Sequence, residues 1–462
     1  MSKKVSQQTN FTGQVKLLID KIYGSSTLQD SLLERAISFY QYQKSLATVP
    51  TSLKNSGALT EEELNAQRIE RNIGLYDICR EIIQLCEAEN FEECNRKSAQ
   101  LLGTIQLISP TEGERVSLSN EKSKPLYKAV LSLRLLDWLC INKEINDPFI
   151  LQYVEHISAE QYREFAYVDP IGYQRFVEQV KIPLIIAVLL QDIGHYYPDA
   201  QIIISGNDGR EDPFRVLDAE TRKQLLQINY RETIHYLIQG IGAANYVGNS
   251  RLERESFNED EKSKLGFIQR LIKQSVNAKE GLGDLLKIPQ IYTSIILSTK
   301  ANYNYKLLPQ VYKVLNKSAE RGYCSQEVVD GLYQITGMFP QGYGVVYMPI
   351  DDFGAYQDCY EYAIVNQLYP ENPQEPSCRL ATRGLNFVSF GQNIVVQKKC
   401  NLYFAETAKK LSSISPERLN EILELLVSNY QERQALDLLP RCWHSGEYFS
   451  VKDNQKLWNK SA

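Results

Sequence analysis

The stretch Leu189-Leu190-Gln191-Asp192-Ile193-Gly194-His195-Tyr196-Tyr197-Pro198 decides how this chain is read. Immediately before it, Ile182 to Leu190 is an unbroken apolar run with Pro183 near its start. Nine residues are too few to span a bilayer, and the run reads as a core helix. Gln191 and Asp192 are therefore expected at the inner end of a buried helix.

The rest of the composition is that of a globular protein. Apolar residues make up 43% of the 462-residue chain and charged residues 23%, enough for two or three domains. A net charge of -5 argues against a broad nucleic-acid surface or an anionic-membrane surface. No stretch reaches membrane-spanning length, so no membrane span is expected. Met1 to Thr12 is polar and lacks the apolar core of a secretory signal, which implies a cytoplasmic protein. Nine widely spaced cysteines with no C-x-x-C pair fit free thiols. Cys359, Cys378 and Cys400 share one segment but match no zinc spacing. Only four histidines are present: His156, His195, His235 and His444.

Periodicity divides the chain. Residues 1–110 form an N-terminal helical region, with Thr60-Glu-Glu-Glu63 as a capping box opening a helix toward Cys86 and Phe91 to Ile108 folding back on it. Residues 111–125 are polar, with prolines near both ends, and read as a linker. Residues 126–337 are a helical domain. Leu126 to Cys140 is apolar on one face, Asp147-Pro148 starts a short helix through His156, and Asp218 caps a helix through Leu225 and Leu237. Gly206 to Gly209 reads as a turn, and Arg251 to Lys264 as a charged loop before an amphipathic helix. Residues 338–410 form a small β-rich unit, with strands at Val345 to Tyr347, Tyr362 to Leu368, Cys378 to Thr382 and Ile394 to Phe404. Residues 411–462 are a capped helix from Ser415-Pro416-Glu417 to Leu438 and a polar tail with Trp443 and Trp458.

From Leu126 to about Phe404 the chain resembles the HD-GYP family, a branch of the HD-domain metal-dependent phosphohydrolases known for cleaving cyclic di-GMP. The resemblance implies a mainly α fold, with an HD-like helical domain preceded by an all-α N-terminal part and followed by a small β-rich unit. Where that family has His-Asp-x-Gly-Lys, this chain has Gln191-Asp192-Ile193-Gly194-His195. Leu217-Asp218-Ala219-Glu220 resembles the lead-in to the family's next histidine, whose position holds Asn229. The family's paired histidines have no counterpart, since no histidine lies between His235 and His444. Leu286-Lys-Ile-Pro289 resembles the family's Ile-Pro, but Leu297-Ser-Thr-Lys300 stands where a metal-binding aspartate is expected. Gly337-Met-Phe-Pro340-Gln-Gly342-Tyr-Gly resembles the turn that closes such domains.

These departures bear on chemistry. A two-metal phosphodiesterase needs imidazoles and carboxylates converging on cations about 3.5–4 Å apart. Asp192 alone survives at a ligand position, while Gln191 and Asn229 are amides, suited to hydrogen bonding a stranded carboxylate. The degenerate site is thus Gln191, Asp192, His195 and Asn229, with no catalytic residue and no metal. This implies a non-catalytic or regulatory HD-GYP-like protein in bacterial cyclic di-GMP signalling. Its partners would be a cyclic dinucleotide and another signalling protein held by the N-terminal helices. The alternative is a metal-dependent phosphohydrolase, a cyclic di-GMP phosphodiesterase, in which His156, Asp192 and His195 hold Fe, Mn or Zn. The distance from His156 to the other two separates the readings.

Overall fold

The computed structural model describes residues 8–24, 30–48, 59–276 except 112 and 114, 281–426 and 440–459. The fold is mainly α with one small antiparallel β unit, as the periodicities imply.

Local chemistry starts the first helices. These are α1 (Asn10–Tyr23), α2 (Leu32–Thr48), α3 (Glu61–Cys86) and α4 (Phe91–Ile108). The capping box is present at α3: Thr60 Oγ1 accepts from the Glu63 N–H, and the Glu63 carboxylate accepts from the Thr60 N–H at 2.8 Å. Asn90 caps α4, which packs back on α3.

The expected linker is mostly helix. α5 (Val116–Ile141) begins inside it and continues through Pro125. Its polar first turns are held by tertiary contacts: Ser117 Oγ donates to the Thr299 carbonyl at 3.0 Å and Asn120 Nδ2 to the Ser298 carbonyl at 2.7 Å. Packing here overrides a composition that favours a loop. Further along, from Leu126 to Cys140, α5 is buried around nearly its whole circumference.

Short helices follow: α6 (Pro148–Val154), α7 (Ala159–Arg163), α8 (Phe165–Val168) and α9 (Pro170–Phe176). α9 runs through a π-turn, Val177–Lys181, into α10 (Ile182–Leu190), the apolar run, and every α10 residue is buried. Pro183 has no N–H to give and its ring crowds the carbonyl one turn back, so the wider turn falls where the helix register must open. Beyond α10 come α11 (Pro198–Ser205), α12 (Ala219–His235), α13 (Arg251–Val276), α14 (Asp284–Ile296), α15 (Val311–Glu320) and α16 (Gln326–Thr336). The Arg251 to Lys264 stretch, expected as a loop, is the first half of α13. Its charged residues mostly face solvent, with an Arg251–Glu255 pair at 2.9 Å, while Glu261 turns inward and accepts from the Ala244 N–H at 2.9 Å. Residues 277–280, in the stretch compared with the family's paired histidines, lie outside the described residues.

α1, α4, α10, α14 and α16 all pack on α5. The helices before residue 110 therefore share one hydrophobic core with those after 126. Polar ties reinforce this: Tyr40 of α2 donates to the Glu232 carbonyl at 2.9 Å, and Arg71 of α3 to the Gly240 carbonyl at 2.7 Å.

The β unit contains β1 (Gly344–Tyr347), β2 (Glu361–Val365), β3 (Ser377–Leu380), the small hairpin β4 (Thr382–Arg383) and β5 (Asn386–Phe387), and β6 (Asn393–Val395). β1, β2, β3 and β6 form one antiparallel sheet in that order. The expected last strand stops at Val395, because the chain then crosses to the opposite edge. There Met348 donates to the Cys400 carbonyl and Leu402 to the Val346 carbonyl, covering β1. After α17 (Ala405–Ala408) and α18 (Pro416–Leu426), the rest of the helix expected up to Leu438 lies outside the described residues. The tail is structural: Trp443 donates to the Gly344 carbonyl at 3.0 Å. Trp458, 3% exposed, lies against Gly103 of α4, where a Cβ would come within 2.3 Å of the indole. The nine cysteines are free thiols. Among the described residues, no helix is long and apolar enough to cross a membrane.

The core also holds a cluster of charged side chains. Glu87 beyond α3, Arg134 and Asp137 on α5, and Lys181 on the π-turn form a buried network of two acids and two bases. Lys181 Nζ lies 2.6 Å from Glu87 and 3.1 Å from Asp137, and Arg134 reaches both carboxylates. Tyr162 donates to Asp137 at 2.8 Å and Tyr173 to Glu87 at 2.9 Å. Burial alone would raise the Glu87 carboxyl, but Arg134 and Lys181 hold it well below its ordinary range. A group depressed in this way stabilises the fold above the ordinary carboxylate pKa, and that stability is lost as pH falls. Lys181→Met leaves two buried acids with one cation. Urea unfolding at pH 7 should show a loss of about 3–5 kcal/mol.

Candidate functional site

α10 ends where its carbonyls lose their helical partners, in a place with little water, so neighbouring elements must supply donors. α12 does so. Asn229 Nδ2 donates to the Gln191 carbonyl at 3.1 Å, and Thr233 Oγ1 lies 3.5 Å from the Leu190 carbonyl. The Gly194 N–H donates back to Thr233 Oγ1 at 3.1 Å. Gly194 is a close-approach glycine, since a Cβ there would sit 2.2 Å from the Asn229 carbonyl oxygen. Asn229, expected near the carboxylate, thus serves the end of α10 instead.

Asp192 begins the short 3-10 turn Ile193–Tyr196 and points into a cleft of about 910 Å³. Its partners come from two helices. Lys128 of α5 places its ammonium 2.7 Å from Oδ2, with the lysine side chain 5% exposed and the aspartate side chain 38% exposed. Gln290 of α14 donates to both carboxylate oxygens, at 3.0 and 3.3 Å, and accepts from Gln191 Nε2 at 2.8 Å. Gln191 therefore acts on Asp192 through Gln290. Burial pushes the Asp192 carboxyl up, but the charge of Lys128, the nearby His195 and the Lys128 hydrogen bond bring it below its ordinary value.

His195 also lines the cleft. Burial lowers its pKa more than the charges of Asp192 and Glu121 raise it. His156 is elsewhere: it is exposed, just beyond α6, and does not line the cleft. The alternative ligand set His156, Asp192 and His195 is therefore not assembled. His235 packs on Phe39 and lies 3.3 Å from Glu232, while His444 stacks near Tyr305.

The donor set does not fit a metal. A divalent cation at Asp192 would meet the Lys128 ammonium already on that carboxylate, and two of the neighbouring side chains are neutral amides. Among the described residues, no three His, Cys, Asp or Glu side chains converge to hold an ion. Lys128 and Gln290, the two residues that matter most to Asp192, were missed by sequence reasoning. The available signals were a lone lysine within the apolar Leu126 to Cys140 stretch and a glutamine directly after Pro289.

Around Asp192 the lining is mixed. Lys124, Lys300, Arg215 and Arg222 add positive charge, Glu121 is a second acid, and much of the rest is aliphatic. Lys124 pairs with Glu121 at 2.8 Å, and Lys300 donates to the Phe214 carbonyl at 3.0 Å. No protein-family model, curated protein or solved structure matches the chain.

Lys128→Met removes the counter-charge from Asp192, so burial then raises its carboxyl above the ordinary value. The native protein then takes up a proton more readily than the unfolded chain, and stability falls as pH rises through the carboxylate range. The loss at pH 7 should be about 1 kcal/mol, limited by the solvent-facing side of the carboxylate. Adding Asp192→Asn to Lys128→Met should recover most of it, as judged by chemical unfolding at pH 5 and 7.

Proposed function

We propose that this chain is a non-catalytic, regulatory HD-GYP-like protein whose Asp192 cleft is a ligand pocket. The observation that carries this reading is the Lys128 ammonium on the Asp192 carboxylate, with Gln290 donating to both carboxylate oxygens. An ammonium neutralises the carboxylate, but unlike a metal it neither lowers the pKa of a bound water to near 7 nor clamps a leaving oxygen.

The size of the cleft suits a small-molecule ligand. Cyclic di-GMP is the ligand the family resemblance offers, and in that setting the chain would hold the nucleotide without cleaving it. α1 and α2 contribute Ile22, Tyr23, Leu32 and Leu33 to the cleft wall, so a signalling partner docked on the N-terminal helices would sense occupancy there.

Protein purified without chelators should carry well below one equivalent of iron, manganese or zinc by elemental analysis. It should also leave cyclic di-GMP intact over hours when any of these metals is added. One equivalent of bound metal together with turnover would replace this reading with that of a metal-dependent phosphohydrolase.

A further inference from the structure

Two properties of the cleft constrain what it holds. Its charge is opposite in sign to the chain's: the net charge of the chain is -5, yet the lining carries Lys124, Lys128, Arg215, Arg222 and Lys300 against Glu121 and Asp192, with Glu211 outside the lining paired to Arg215. Lys124 and Lys128 are one turn apart on α5, and Lys124 Nζ lies 3.5 Å from the hydroxyl of Thr299, next to Lys300. Lys300 in turn reaches the carbonyls of Phe214 and Arg215. Lys128, Lys124 and Lys300 thus follow one another from Asp192 outward, with Lys124 also paired to Glu121.

The second property is apolar. Leu118, Val216, Leu226 and Leu307 line the same cleft, yet each is at least half exposed, Val216 at 84%. Leaving apolar side chains around one opening costs hydration free energy that a ligand recovers by covering them. Deeper in, Leu32, Leu189, Ile193 and Leu225 continue the aliphatic surface. A nucleobase prefers flat stacking partners. Tyr23 and Tyr196 of the lining are engaged edge to face with each other, ring centroids 5.7 Å apart, and Phe214 and Tyr303 are the other aromatic rings in a mostly aliphatic wall. Aliphatic walls beside a line of cations suit a flexible chain with one charged end.

We propose that the cleft binds a single-chain anionic amphiphile, an acyl or alkyl chain ending in a carboxylate or a phosphate. The head group lies on the Lys124–Lys300 line and the chain runs over Leu225, Leu226 and Leu32. This rests on reading the cleft as a ligand pocket.

The test is isothermal titration of the full chain with dodecanoate and dodecyl phosphate, each below its micelle concentration. Dodecyltrimethylammonium, inorganic phosphate and cyclic di-GMP are titrated alongside. One site per chain is expected for at least one of the two anionic amphiphiles, and the tighter of the two identifies the head group. Shortening the tail by two methylenes should weaken binding by roughly tenfold, and Lys300→Glu or Leu226→Asp, both at exposed positions, by roughly tenfold each. Equal binding of dodecyltrimethylammonium, unsaturable uptake, or affinity unchanged in both variants would overturn the proposal. One-to-one binding of cyclic di-GMP with no amphiphile binding would overturn it and leave the ligand-pocket reading standing. Turnover of cyclic di-GMP would remove that reading as well.

Discussion

The burial of α10 is the constraint on which the surrounding structure depends. A fully apolar helix can be removed from water cheaply, but its terminal carbonyls and the first acid beyond it cannot. Each polar group at the end of α10 is met from another element: the Gln191 carbonyl by Asn229, the Gly194 N–H by Thr233, and the Asp192 carboxylate by Lys128 and Gln290. These partners lie on α12, α5 and α14. Satisfying one helix terminus therefore fixes how three other helices approach it.

Charge is also buried at the other end of α10, where Lys181 sits on the π-turn. There the solution is the four-charge network of Glu87, Asp137, Arg134 and Lys181, buried deeper than the Asp192 pair and closed by two tyrosine hydroxyls. Replacing such a network with apolar residues of equal volume is often neutral or stabilising, so its presence is weak evidence of stability for its own sake. It ties α5, the π-turn and the end of α3 into one arrangement, because any relative shift would leave a buried charge unpaired. The network thus specifies the packing more than it strengthens it.

What could be read from the sequence was local. The capping box at Thr60, the Asp218 cap and the extent of α10 each depend on residues within a few positions of one another, and all three stand in the structure. Gln191 and Asp192 lie at the end of the buried helix where the apolar run places them. The linker and the Arg251 to Lys264 loop were misread because their polar residues, which resemble solvated loop residues, are paired within helices or with distant carbonyls. The partners of Asp192 were not legible, because Lys128 and Gln290 are 64 and 98 positions away and no short-range pattern links them. The division at residue 110 was likewise a matter of composition, which does not register that Tyr40 and Arg71 bond to the carbonyls of Glu232 and Gly240.

Lys128 also shows how a carboxylate beside a cleft can be held without a metal. A carboxylate beside a cleft needs positive charge, and a metal or an ammonium can supply it. The ammonium comes with its own chain, so the site is complete once the protein folds, whereas a metal site needs several converging ligands and is occupied only when the ion is available. With the ammonium on Asp192, His195 is the histidine that lines the cleft, and His156 lies on the surface. Aliphatic side chains such as Leu226 and Val216, which coordinate no ion, share the cleft wall with the Lys128–Asp192 pair.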